Sequence, residues 1–449
     1  MRNSHPLFTF TALALFGALS WGCDSGETSN EGVASGGSSA GARASEPGGG
    51  GGSNQAGSPS ASGGRAAIGS GGSSAGSSAA GSPGVAGTTG AAGSASGARL
   101  GSGGPFAFPQ NKKPGSCSLT TVANASSSVQ AAYTSWKNAF LTSNGAGAGL
   151  RVQRNTNDDD TVSEGIGYGM IAAVYLNDRA TFDGLWSYAK AHFDALGLMN
   201  WHITVGGSVA GDGMGSASDG DEDMAWALLM ASDQWSSTAY LADGVSVINA
   251  ILSNSIAGDG MLKPGDAWGG TTSTFPDYFS PAYYRVFAEA TGNENWSGAV
   301  IDRNYAILAA VEGADGLVPD KTTSAYDISA NYSYDACRTP WRIGMDYCFN
   351  AEPRAQAYLM KVGAFFNGIG ATNIVDGYSA SGSQTGQYKN MAFVGPAGVA
   401  AMAGFPTLLD GAFNFGAANS GDSTSYFPQS LRVLTMLMMS GNFVDFSKP

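Results

Sequence analysis

The chain has 449 residues, and its 22 Lys and Arg are outnumbered by 35 Asp and Glu, for a formal net charge of -13 at pH 7. No basic run is present that could neutralise a phosphate backbone, so nucleic acid is excluded as a partner. The 3 histidines and 4 cysteines, with no Cys-x-x-Cys spacing, argue against a zinc site.

The N-terminus has a short positive start, an apolar run from Leu7 to Leu19, and then Ser20-Trp21-Gly22-Cys23. That order describes an export signal over 1–23, and the run is too short for a comfortable membrane span. Gly22-Cys23 looks like a lipoprotein cleavage site with Cys23 lipidated; ordinary signal-peptidase cleavage nearby is the alternative. Either reading predicts a secreted or cell-surface protein. Residues 24–104 are nearly all Gly, Ser and Ala, with too little apolar surface to offset the entropy of ordering them. They are expected to form a disordered tether spanning roughly 50 Å, or a plain spacer. Among the remaining cysteines, Cys117, Cys337 and Cys348, only one bridge can form, and Cys337 and Cys348 are the pair nearest in sequence.

Residues 105–449 read as one large all-α domain. Apolar residues recur at helical spacing over 125–141, 165–176, 180–196, 221–235, 237–252, 280–291, 296–311, 352–366, 388–403 and 428–439. Strand signals are few and short. About ten to twelve helices, with alternating long and short connections, suggest a closed toroid whose sites cluster where the inner helices begin. An α-solenoid would need a fixed repeat period, and none is present.

Three acidic clusters sit beside aromatics at helix starts. In the first, Glu164 precedes Gly165, Gly167 and Gly169, poor helix formers that allow close approach of a neighbour. A capping or surface Glu is the alternative. In the second, Asp219, Asp221, Glu222 and Asp223 open an apolar helix. They suit its positive end, and the x-spaced aspartates imitate a calcium loop that lacks its glycine. In the third, Arg338 follows Asp335 by three residues, a helical ion-pair spacing.

Taken together, these stretches closely resemble glycoside hydrolase family 8, the cellulase family D group of endoglucanases, chitosanases, lichenases and xylanases. The second stretch fits its signature from Ala217 through Asp219, Asp221, Met224, Ala225 and Ala231 to Trp235. Gly197-Leu198-Met199-Asn200-Trp201, Pro276-Asp277-Tyr278-Phe279-Ser280 and Tyr388-Lys389-Asn390 extend the likeness across the domain. The resemblance implies an (α/α)6 barrel with an open cleft and an endo-acting, inverting β-1,4-glucanase. It maps Glu164 to the general acid and Asp335 to the general base. Asp219 maps to the aspartate that holds a distorted sugar ring. Tyr334 and Arg338 would flank the base.

Such chemistry needs Glu164 to keep its proton at neutral pH. Repulsion from Asp219 and Asp335 would supply that, while a helix N-terminus keeps Asp219 ionised. Inversion predicts acid and base carboxyls about 6.5–9.5 Å apart. Trp201, Trp268, Tyr278 and Trp341, in Gly-rich or polar connections, are candidate sugar platforms, with core packing the alternative for each. The expected partner is a β-glucan polysaccharide bound by a monomer with no metal or organic cofactor, and the membrane is reached only through a lipid on Cys23. Rival readings are a chitosanase, lichenase or xylanase of the same family, an inactive carbohydrate-binding protein, and a calcium-dependent adhesin.

Overall fold

The computed structural model describes residues 106–418 and 424–448. The expected export signal, the Cys23 lipidation site and the Gly/Ser/Ala-rich tether lie outside the described residues.

Among the described residues, twelve α-helices follow in chain order. They are α1 (Ala125–Phe140), α2 (Ser163–Tyr175), α3 (Arg179–Ala191), α4 (Ser218–Gln234), α5 (Thr238–Asn254) and α6 (Pro281–Thr291). After these come α7 (Ile301–Val311), α8 (Thr339–Asn350), α9 (Pro353–Ile369), α10 (Met391–Ala401), α11 (Pro406–Ala417) and α12 (Tyr426–Met439). The odd-numbered helices carry a single apolar stripe. On α1 the buried residues are Val129, Ala132, Tyr133, Trp136 and Phe140, the spacing of a helix with one face to a core. Most even-numbered helices are buried nearly all round: every residue of α4, α10 and α12 is buried, and every residue of α2 except Glu164, whereas α6 leaves Glu289 exposed.

Contacts explain the difference. The even helices close a ring in which α2 packs on α4, α4 on α6, α6 on α8, α8 on α10, α10 on α12, and α12 back on α2. Odd helices lie outside it, α3 against α2, α5 against α4 and α6, α9 against α8 and α10, and α1 and α11 against α12. This is the (α/α)6 barrel. Each outer helix returns the chain, so the inner helices run parallel and their N-termini gather at one end. Short turns such as 176–178 and 235–237 lie at the opposite end from the long connections 192–217, 255–280, 312–338 and 370–390. Two-residue antiparallel ladders stitch the long connections, including Thr161–Val162 with His202–Ile203.

Helices α8 and α11 have no counterpart in the sequence expectations. Helix α8 belongs to the inner ring and buries Thr339, Arg342 and Asp346 along with its apolar residues, so it has no stripe to recognise. In α11 two glycines dilute the pattern.

The disulfide also differs from the nearest-in-sequence pairing. Cys117, in the segment before α1, joins Cys348 on α8, and Cys337 remains a buried thiol. Cys337 and Cys348 are separated by a 3-10 turn and most of α8. At the rise of a helix that is roughly 16 Å, far beyond the Cα spacing of a bridge.

Candidate active site

The inner helix ends carry the acidic residues. Glu164 is the second residue of α2 and Asp219 the second of α4. Asp277 lies in the 3-10 turn Pro276–Tyr278 ahead of α6, and Asp335 caps the turn Ala336–Arg338 ahead of α8. Parallel helix N-termini favour negative charge at this end of the barrel. Close helix packing brings the first two acids together. A Cβ on Gly167 would lie 2.6 Å from Asp223 Cβ, and one on Gly220 would lie 2.9 Å from the Glu164 amide. The glycines that weaken α2 as a helix therefore let α2 and α4 touch at their starts.

Arg338 is the hub. Its guanidinium, 2% exposed, bonds Glu164 and Asp219 through Nη1, the latter at 2.8 Å. Nη2 faces Asp277, and Asp335 at 3.2 Å. The Tyr278 and Phe427 rings lie 5.3 and 5.6 Å from its centre. The expected Arg338–Asp335 ion pair is present, but it is one contact of four. Tyr426, the first residue of α12, donates its hydroxyl to Glu164 Oε1 at 2.7 Å. Asp320 accepts the amides of Ser333 at 2.8 Å and Ala336 at 2.9 Å, which fixes the chain on both sides of Asp335.

One guanidinium cannot neutralise four carboxyls, so protons are retained. The Asp335 carboxyl is pushed up to about 7, first by burial, with Arg338 opposing and Asp320 and Glu164 adding repulsion. Glu164 is raised above the ordinary carboxylate range, again first by burial; Arg338 pulls it down and Asp219 pushes it up. Desolvation, rather than the repulsion expected from sequence, is thus the main cause. Burial also raises Asp277 strongly.

The cleft above this cluster is walled by Arg154, Trp201, Tyr278 and Ala217. Trp201 anchors its indole N–H on the Asp212 carbonyl at 2.8 Å. Trp268, half-buried, donates to the Ser216 carbonyl at 2.7 Å, two residues ahead of α4. Tyr334, which precedes Asp335 in the chain, donates its hydroxyl to Asp376 at 2.9 Å and accepts from Asn390 at 3.1 Å. Trp341 does not belong here. It is fully buried in α8, edge-on to Tyr168 and under the Arg342 guanidinium at 4.5 Å, because this inner-helix position points into the barrel.

The x-spaced aspartates of α4 diverge. Asp219 meets Arg338, Asp221 accepts the Met199 amide at 3.2 Å, and Asp223 pairs with Arg342. A helix turns successive side chains by about 100°, so they cannot converge on one cation as a calcium loop does. Asp277, Asp320 and Tyr426 escaped the sequence reading. None has a charged partner nearby in sequence, and the Pro276-Asp277-Tyr278 motif was the available signal.

The model for "Glycosyl hydrolases family 8" matches residues 107–441. Endoglucanase A of Acetivibrio thermocellus is 39% identical over 350 residues, 72% of each chain. The Beta-glucanase of Niallia circulans is 34% identical over 378 residues, 75% of this chain and 90% of that one. Among solved structures, the apo β-1,3-1,4-glucanase from Paenibacillus sp. X4 superposes with a TM-score of 0.70 at 31% identity, covering 75% of this chain and 98% of its own. The ring of inner helices with its acidic rim and the match across the domain agree: this chain belongs to glycosyl hydrolases family 8 and is a glycoside hydrolase.

Proposed function

We propose that the chain cuts internal β-1,4-glucosidic bonds of cellulose or a related β-glucan with inversion at the anomeric carbon. The observation that carries the reading is the single Arg338 guanidinium that gathers Glu164, Asp219 and Asp335 at the mouth of the barrel. Relatives named as endoglucanases and a β-glucanase support the substrate class.

Glu164, raised above the ordinary carboxylate range, is the group suited to carry the proton that the leaving glycosidic oxygen needs. When it gives that proton up, the carboxylate left behind is already bonded to Arg338 and Tyr426, which lowers the cost of its new charge. Asp335 retains 28% side-chain exposure, which suits a base that takes a proton from water on the opposite face of the sugar. Asp219, locked between Arg338 and the Gly220 amide at 2.8 Å, presents a fixed carboxylate to the neighbouring sugar ring. Trp201, at the edge of the cleft, is the candidate for sugar contact, whereas the Tyr278 ring lies between Phe275 at 5.2 Å and Arg338 and buttresses the cluster. Export, with Cys23 as a lipid anchor, is proposed from the sequence pattern of the first 23 residues.

Reducing-sugar release should be greatest on carboxymethylcellulose or lichenan and lower on xylan and chitosan. Proton NMR of the first-formed end should show the α-anomer. No turnover on any of the four polymers would sink the proposal, and a β-anomer would remove inversion.

The raised carboxyls also set a pH dependence. With Asp335 near 7, kcat/KM should fall as pH drops through about 7 and the base protonates. Stability runs the other way. A carboxyl whose folded pKa exceeds its ordinary value of about 3.9 stabilises the fold at low pH and loses that contribution as pH rises toward about 7. Thermal melts should therefore show a higher Tm near pH 5 than near pH 8. Asp160, Asp178 and Glu352, the last held at about 2 chiefly by Arg354, oppose this only in stronger acid. A Tm that rises steadily from pH 5 to pH 8 would contradict the assignment.

A further inference from the structure

His202 follows Trp201 directly and pairs across a ladder with Val162, the residue that leads into α2 and Glu164. Its ring is flanked by two carboxylates. Nε2 lies 2.8 Å from Asp160 Oδ2 and Nδ1 lies 2.7 Å from Asp212 Oδ1. A neutral imidazole has one N–H, so it serves one carboxylate and turns a lone pair on the other; the imidazolium serves both.

The two acids are not equally secured. Asp160 is also gripped by Arg154 through Nε at 2.7 Å and Nη2 at 2.6 Å. Arg151, on the same hairpin, points instead at the Asp159 and Asp160 carbonyls and the Thr161 hydroxyl. Asp212 has a side chain 57% exposed and is tied inward through His202. Yet the Asp212 carbonyl is the acceptor for the Trp201 indole. The backbone on either side is held by the Ser163 amide on the Trp201 carbonyl at 2.9 Å and by the loop's own turns, Thr204 to Ser208 and His202 to Ala210, with the His192 ring 3.2 Å from the Gly207 carbonyl. The Asp212 side chain itself is tied to His202.

We propose that the His202 imidazolium is a clasp that fixes the Trp201 loop to the hairpin leading into Glu164, making His202 a positioning residue whose deprotonation weakens sugar binding. The proposal rests on the reading of Trp201 as a sugar platform. The proton is held above the usual histidine range, first by Asp160, against burial and with help from Asp212. The sign follows: the clasp is complete below the ordinary histidine pKa of about 6.5 and opens as pH rises through the raised value. Arg154, bonded to the same Asp160 carboxylate, carries a charge that favours the neutral ring, and the two carboxylates outweigh it.

The test is the pH dependence of KM and kcat, read separately from about pH 6 to pH 9 on a soluble β-glucan. Wild type should show KM rising about threefold through the His202 titration, a modest step because Asp212 is solvent-screened, with no matching step in kcat. Asp212→Asn keeps the carbonyl that holds Trp201 and pairs with a neutral ring, so its KM should stay flat. Imidazole NMR of wild type should place the His202 titration above that of a free histidine, and Asp212→Asn should lower it. A wild-type KM that does not change with pH overturns the clasp, as does a limb that survives in Asp212→Asn. Trp201→Ala separates the two ideas. If it leaves KM unchanged, the platform reading fails and the clasp fails with it; if KM rises while wild type shows no limb, only the clasp fails.

Discussion

Glu164→Gln should lower kcat on a β-glucan by about 10²- to 10⁴-fold, the usual worth of a positioned proton donor. Glutamine matches the shape of a protonated glutamic acid; its oxygen can face Arg338 while its amide N–H donates to the Tyr426 hydroxyl, so the melting temperature should change little. The sharper readout is the leaving group. An aryl glycoside whose phenolate departs without a proton does not need the acid, so the deficit should shrink on such a substrate. An equal loss on polymer and on activated glycoside would mean that Glu164 supports the site rather than protonating the bond. Full activity in the variant would remove the assignment altogether.

The second large effect is expected at Arg338. Its replacement by Met leaves Glu164, Asp219, Asp277 and Asp335 facing one another without a cation. Removing one partner from a buried charge network costs about 3–5 kcal/mol. Denaturant unfolding at neutral pH should show a loss of that size. The deficit should narrow as pH falls, because protonating the acids removes the repulsion that Arg338 offsets. Asp277, completely buried, is the least able to find water. Adding Asp277→Asn to Arg338→Met should therefore recover part of the lost stability, giving a coupling that a double-mutant cycle measures. Simple additivity would show that Asp277 and Arg338 are not energetically linked. Activity should fall in both variants, since Glu164 then holds its proton too tightly and its conjugate base has lost a stabilising partner.

The amphipathic outer helices were legible in the sequence because burial on one side leaves a 3.6-residue apolar stripe, as on α1. The acid pair at the starts of α2 and α4 was legible through its glycine and acidic motifs and the family they resemble. Inner helix α8 was not, because a helix buried on every side shows no stripe, and its Arg342 and Asp346 look like surface residues until Asp223 and Arg285 arrive from elsewhere. The same blindness made Trp341 a plausible cleft wall. It also hid Asp277 and Tyr426, whose partners lie far along the chain.

The sequence by itself determined the helical class and the family, and named the candidates for proton donor and acceptor. Only the tertiary structure decided their chemistry. It made burial the chief cause of the raised Glu164 and Asp335 carboxyls, joined Cys117 rather than Cys337 to Cys348, and set four acids around one arginine. The physical reason is range. Helical periodicity and motif spacing are local along the chain, whereas desolvation and ion pairing depend on which distant helix ends the closed ring brings within a few ångströms.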